Sequence, residues 1–133
     1  MSQQSTVVQV LSDYYAAFST LDPQSFLPYF HEPSLLIGPQ GMGVAPTHAV
    51  LTTVFAPQME SFRARGFGRS ELSVRDVKKL SASTTLVTGI ANRYKADGQE
   101  LDRAGVTYVM HLKDRGWKIA VLILHDEDED GAA

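Results

Sequence analysis

Residues 84–125, TTLVTGIANRYKADGQELDRAGVTYVMHLKDRGWKIAVLILH, decide the fold of this 133-residue chain. Thr84–Lys95 and Leu101–Leu112 alternate apolar and polar side chains with period two and are rich in Val, Thr, Ile and Tyr, the pattern of half-buried strands. Trp117–His125 is apolar on both faces. Asp97-Gly98 and Asp114-Arg115-Gly116 lie between these runs and suit hairpin turns, because Asp and Gly tolerate the positive φ such turns require. Upstream, Glu71–Leu80 alternates weakly. The second half therefore reads as an antiparallel meander of four long strands.

The first half has a helical period. Val7, Leu11, Tyr14, Phe18 and Leu21 recur at steps of three and four, with Ser5 as the expected N-cap. Asp22-Pro23 opens a second, short helix, since Asp caps well and the fixed φ of proline suits the first helical position. Its expected apolar face is Phe26, Leu27, Tyr29 and Phe30, with Pro33 as its stop. Ser34–Ile37 reads as a short strand and Gly38–Gly43 as a loop. Thr47 is the next cap, before a stripe of Leu51, Phe55, Met59 and Phe62 ending near Gly66; Pro57 inside it predicts a kink or break. Helices first and strands after give the class α+β, a curved antiparallel sheet wrapped around three N-terminal helices.

Composition bounds the function. The chain has no cysteine, which excludes disulfides and thiolate metal sites, and its net charge of −3 gives no footprint for nucleic acid. No apolar run approaches a membrane span, and Met1–Ser5 lacks the basic start and apolar stretch of a signal peptide, so a cytoplasmic protein is expected. One domain over residues 1–125 and an acidic tail over 126–133 are expected. Five of the 15 acids fall in Asp126–Asp130, leaving the body slightly basic. That run reads as a solvated, frayed tail and lacks the glycine and closing glutamate of a calcium loop. In the last strand, Ile119, Val121 and Ile123 share one face and Ala120, Leu122 and Leu124 the other, so a single helical layer cannot cover both. A symmetric homodimer through the sheet face is the expected cover, with the chain's own Gly66–Ser70 segment or N-terminal strand as the alternative.

Nucleotide-binding, serine-hydrolase and metalloprotease motifs are missing, and no cofactor is expected. His31, His48, His111 and His125 lack the spacing of ligands on one helix face, so no metal site is expected. Each reads as a satisfied surface or interface histidine, with His31 and His125 the best-placed exceptions, at element ends. Tyr14, beside Phe18, and Tyr108, on the parity of Val106, Met110 and Leu112, should both point inward. A buried phenol needs a partner, either core backbone or a polar feature of a ligand pocket. Arg93, Asp102 and Arg103 lie near the Asp97-Gly98 turn and read as exposed hairpin charges.

The layout, with "YYAAFSTLD" (Tyr14–Asp22), "YFHEP" (Tyr29–Pro33) and "GWKIAVLIL" (Gly116–Leu124), resembles the nuclear-transport-factor-2-like superfamily, with its ketosteroid isomerases, epoxide hydrolases, dehydratases and SnoaL-like cyclases, over about residues 5–125. The resemblance implies a cone with an apolar pocket at its open end and a dimer through the convex sheet face. It places Tyr14 where ketosteroid isomerases hold an oxyanion-stabilising tyrosine and Tyr108 near their second donor. Gly38 stands where those isomerases carry the Asp base, so their active site is incomplete here. The implied pocket is lined by Tyr14, Phe18, Phe30, Phe55, Met59, Tyr108 and Met110, and its expected occupant is a small apolar or aromatic molecule. Two alternatives stay open. One is an isomerase, cyclase or hydrolase using Tyr14, Tyr108 and a replacement base, His31; His111 and Asp13 are the other candidates for a dehydratase-like pair. The other is a pocketless dimerisation module.

Overall fold

The computed structural model describes residues 3–127, in the order α1 (Gln3–Phe18), α2 (Pro23–Phe26), a 3-10 turn (Leu27–Tyr29), β1 (Phe30–Gly38), β2 (Gly41–Ala45), α3 (His48–Ala64), β3 (Phe67–Ser81), β4 (Thr84–Lys95), β5 (Glu100–Lys113) and β6 (Gly116–His125). The strands form one six-stranded sheet, ordered β2-β1-β6-β5-β4-β3. The four long strands make the expected meander. Two more strands join it: β1 runs parallel to β6, and β2 pairs antiparallel with β1, so the sheet is mixed rather than wholly antiparallel. Asp128–Asp130, in the expected frayed tail, lie outside the described residues.

Local chemistry sets most boundaries. Asp22 Oδ1 accepts from the Gln24 backbone N–H at 3.0 Å and Thr47 Oγ1 from that of Val50 at 3.3 Å, the two caps the sequence predicts. Positive φ at Asp114, Arg115 and Gly98 fits the two hairpin turns. Ser5, in contrast, is not the cap of α1. The helix already runs at Gln3, whose Nε2 donates to the Ser81 carbonyl (3.0 Å) and Thr85 Oγ1 (2.7 Å) and so ties the helix start to the β3–β4 turn.

Three other expectations need correction. Phe30 opens β1 instead of closing a helix, because Pro28 lacks the N–H that would continue α2 as an α-helix, and the chain passes through a 3-10 turn. The expected loop Gly38–Gly43 holds a tight turn, with Ile37 paired to Met42 and Gly38 to Gly41; its glycines are strand residues at the edge of the sheet. Pro57 does not break α3, which is continuous from His48 to Ala64. Both Pro57 and Thr53, whose carbonyl loses its helical donor, are exposed, so water can satisfy the freed oxygen.

The sheet curves through bulges. β3 has three register shifts against β4, and Ala120 is an extra residue in β6, since Val109 pairs with Val121 while Met110 pairs with Ile119. The Ala120 bulge reverses the parity of the strand. Trp117 and Ile119 are buried before it and Leu122 after it, whereas Val121 and Ile123 turn to the outer face. The sequence expectation of one constant parity through β6 fails at this residue. Over the inner face lie Val7, Leu11, Tyr14, Tyr15 and Phe18 of α1, Phe26 of α2, and Leu51, Phe55, Met59 and Phe62 of α3, all in one apolar core with Val87, Val106, Tyr108 and Met110. Among the described residues no helix is long and apolar enough to cross a membrane.

Candidate ligand-binding site

The curl of the sheet leaves a gap between the helices and the inward residues of β4, β5 and β6. Helical spacing brings Tyr14, Tyr15 and Phe18 of α1 to it, Tyr15 standing four residues after Leu11 and so on the same buried stripe. From the sheet come Ser70, Ala91, Arg93, Val106, Tyr108, Leu122 and Leu124, and from α3 Phe55 and Gln58. These enclose a cavity of about 30 Å³, room for one or two waters or the head of a ligand. Phe55, Gln58, Leu122 and Leu124 also line an outer recess of about 480 Å³, walled by Val54 and the β1–β2 hairpin from Leu36 to Gly43. The small cavity is therefore the inner end of a larger apolar recess whose outer wall is the glycine-rich hairpin.

The polar groups of the inner end are phenols and one guanidinium. The Tyr15 and Tyr108 hydroxyls share a hydrogen bond of 2.6 Å. Tyr14 packs edge-on against Tyr15, Phe30 and Tyr108, and its hydroxyl has no hydrogen-bond partner among the described residues. Burial pushes the Tyr15 phenol up to about 12. Burial first, and neighbouring phenols second, raise Tyr14 and Tyr108 well above the ordinary value. All three are neutral donors near neutral pH and none can serve as a base there. The positive charge of Arg93, in the wall of the same cavity, opposes each of these rises.

Arg93 is the residue the sequence misjudged. Its side chain is 12% exposed, lies over the Phe62 ring at 5.1 Å from the centroid, and donates through Nη1 to Asp102 Oδ1 at 3.2 Å. Arg65 Nη2 donates to the other Asp102 oxygen at 2.6 Å. Arg93 shares the strand parity of Val87 and Ala91, both buried, and that signal could have turned it inward; proximity to the hairpin turn hid it. Arg103, on the opposite parity, is exposed as expected and pairs with Glu100 and Glu127. Tyr15 was also missed, although its spacing from Leu11 marks it.

Of the seven residues expected to line the pocket, Tyr14, Phe18, Phe55 and Tyr108 do so. Phe30, Met59 and Met110 are packed into the core and line neither the inner cavity nor the outer recess, because the strand and helix faces that carry them are filled by neighbouring rings and aliphatic side chains. His31 does not join the phenols. It is the second residue of β1, well down the strand from the Gly38 end that walls the recess; its Nδ1 lies 2.9 Å from the Pro33 carbonyl and its ring packs edge-on against His111. His48 Nε2 meets the Phe30 carbonyl at 2.8 Å, His125 Nε2 meets Thr107 Oγ1 at 2.8 Å, and Asp13 is exposed beside Gln9. Among the described residues no group of three or more His, Asp or Glu side chains could hold a metal ion.

A mixed, curled sheet closed over three helices, with an apolar recess between them, defines the class of fold. The sequence profile of the NTF2-like protein family DUF6841 matches residues 3–127, and the chain belongs to that family. Among 271 structurally similar chains, an NTF2-like protein of unknown function from Shewanella oneidensis MR-1 superposes with a TM-score of 0.73 at 19% identity, over 94% of this chain and all of that one. A protein of unknown function with a cystatin-like fold from Nostoc punctiforme PCC 73102 gives 0.73 at 12% identity, covering 90% of this chain and 87% of that one. A ketosteroid isomerase-like protein from Erwinia carotovora atroseptica SCRI1043 gives 0.65 at 14% identity, covering 93% and 95%. At such identities the likeness carries the fold alone. No curated protein matches in sequence.

Proposed function

We propose that this domain binds a small apolar or aromatic molecule in the recess between α3, β6 and the β1–β2 hairpin, its inner end meeting the phenols of Tyr14, Tyr15 and Tyr108. The observation that carries the reading is continuity: one set of side chains, Phe55, Gln58, Leu122 and Leu124, lines both the buried polar end and the open apolar recess. A volume of about 480 Å³ lies within the range of small-molecule sites. Among the described residues neither lining includes a carboxylate or an imidazole, which favours binding over proton-transfer chemistry. A groove of about 490 Å³ between α1 and β3 is walled by Ser12, Ser19, Arg69 and Glu71 among others and reaches the inner cavity only through Tyr15 and Ser70; its charged rim suits an apolar ligand less well.

A neutral fluorescent probe, N-phenyl-1-naphthylamine, tests the reading. Its emission is expected to rise on binding to the wild-type protein, and Leu124→Trp, which fills the shared wall, is expected to weaken it about tenfold. No enhancement, or enhancement indifferent to Leu124→Trp in a folded variant, rejects the site.

The same reading includes a homodimer. Leu35 of β1, Val121 and Ile123 of β6, Val109 of β5 and Leu86 of β4 fall in register on the outer face and are all half-buried in the single chain. A second copy would cover this row, the self-complementary patch of a two-fold interface. Val121→Glu is expected to yield a monomer by analytical ultracentrifugation with unchanged circular dichroism; a wild-type chain that sediments as a monomer at tens of micromolar removes the proposal.

A further inference from the structure

We propose that the ligand carries a single carboxylate, seated in the inner cavity between Arg93 and the tyrosine hydroxyls, with its apolar body in the outer recess. This deepens the binding function proposed above and rests on it.

Charge points to an anion. Asp102 is shared by two guanidiniums, Arg65 at 2.6 Å and Arg93 at 3.2 Å, so the three groups keep a net charge of +1. The two arginines differ in setting: the Arg65 side chain is 42% exposed and can be neutralised by water and salt, whereas Arg93 forms part of the cavity wall. A guanidinium has five N–H donors, and Asp102 is the one acceptor that meets Arg93 among the described residues. The uncompensated charge therefore resides where a ligand head would lie, with little water to screen it.

The hydrogen-bonding groups also require an acceptor. Tyr15 and Tyr108 carry two hydroxyl protons and use one between them, leaving one to donate. The Tyr14 hydroxyl is a further donor, and the Gln58 amide stands at the junction with the outer recess. Among the described residues no ionised acceptor lines the cavity, so a cationic head would meet the Arg93 charge with no counter-charge of its own.

Size narrows the class. About 30 Å³ admits the three heavy atoms of a carboxylate, with slight widening at Gln58. A tetrahedral phosphate is larger, and as a dianion it would call for more positive charge than the +1 present. The recess beyond, bounded by Leu36, Ile37, Val54, Phe55, Leu122 and Leu124, accepts a body of one or two rings or an equivalent chain.

Displacement of N-phenyl-1-naphthylamine by 2-naphthoate and by its uncharged counterpart 2-naphthamide separates charge from shape. The carboxylate is expected to bind at least tenfold more tightly to the wild-type protein, with the advantage falling as salt rises. Arg93→Met should bring the ratio close to one while leaving the amide within about twofold. Asp102→Asn, which removes the competing carboxylate, should increase the ratio and gives a second readout should Arg93→Met fail to fold. Equal affinities in the wild-type protein, or a naphthoate advantage that survives Arg93→Met, overturns the assignment. Failure of both probes while N-phenyl-1-naphthylamine still binds sinks the carboxylate but keeps the pocket; failure of all three removes both.

Discussion

Truncating Phe26 to alanine is expected to remove about 3–5 kcal/mol of stability, the cost of a large apolar deletion whose surroundings cannot collapse. Phe26 has no exposed surface and stands between three rings, with centroids at 5.0 Å from Phe18, 5.3 Å from Phe55 and 6.3 Å from Tyr14. It is also the one buried residue of α2. Four residues do not form a helix unaided, so that segment is held by its tertiary contact. Losing the ring frees α2 as well as opening a void beneath α1 and α3. Against a typical domain stability of about 5–15 kcal/mol this is a severe loss. Urea unfolding should show a lower midpoint at unchanged slope. A loss below about 1.5 kcal/mol would mean that the neighbouring rings close the gap.

The second large effect is alkaline. A phenol whose pKa is raised by folding stabilises the native state fully below its unfolded pKa of about 10, where both states hold the proton. Above that value the unfolded chain releases the proton while the folded chain keeps it, so stability falls as pH rises through the interval. For Tyr15, raised from 10.0 to about 12, the loss between those limits is about 3 kcal/mol, at 1.36 kcal/mol per unit. Tyr14 and Tyr108 are raised by the same burial and add loss of the same sign. Urea midpoints should therefore be flat from pH 7 to about 9.5 and drop steeply above, and tyrosinate absorbance from these rings should appear only with unfolding. Tyr15→Phe should flatten the slope. A stability curve that stays level to pH 11.5 would falsify the buried, neutral phenols.

The class of fold was legible because it depends on periodicity. The change from steps of three and four in Val7–Phe18 to steps of two after Gly68, with Asp and Gly at the hairpin turns, is a local signal, and it placed four strands and three helices. Neighbours decided what was misjudged. Gly38–Gly43 reads as a loop until Ile37 and Met42 find each other across the turn. Parity through β6 cannot show that Ala120 is an extra residue, because the bulge is defined by the partner strand.

The site followed the same division. Tyr14, Phe18, Phe55 and Tyr108 reached the cavity because they lie on inward stripes that one element defines. Met110 and Phe30 lie on such stripes too, yet they are core, since where a stripe ceases to be packed depends on what faces it. Arg93 and His31 exchanged places relative to expectation. A charge beside a turn looks solvated until the sheet curls over it, and a histidine at a strand end looks poised until the mouth opens at the other end. Tyr15 shows a simpler gap, a second aromatic beside the first whose partner, Tyr108, is 93 residues away.

The extra residue at Ala120 gives β6 two separate constituencies. Before it, Trp117 and Ile119 answer to the hydrophobic core, and their size is fixed by what the helices leave. After it, Leu122 and Leu124 form part of the recess wall, while Val121 and Ile123 answer to the outer face. Side chains of the recess wall beyond the bulge, Leu124 above all, can therefore be exchanged to reshape the proposed binding site without repacking Trp117 and Ile119.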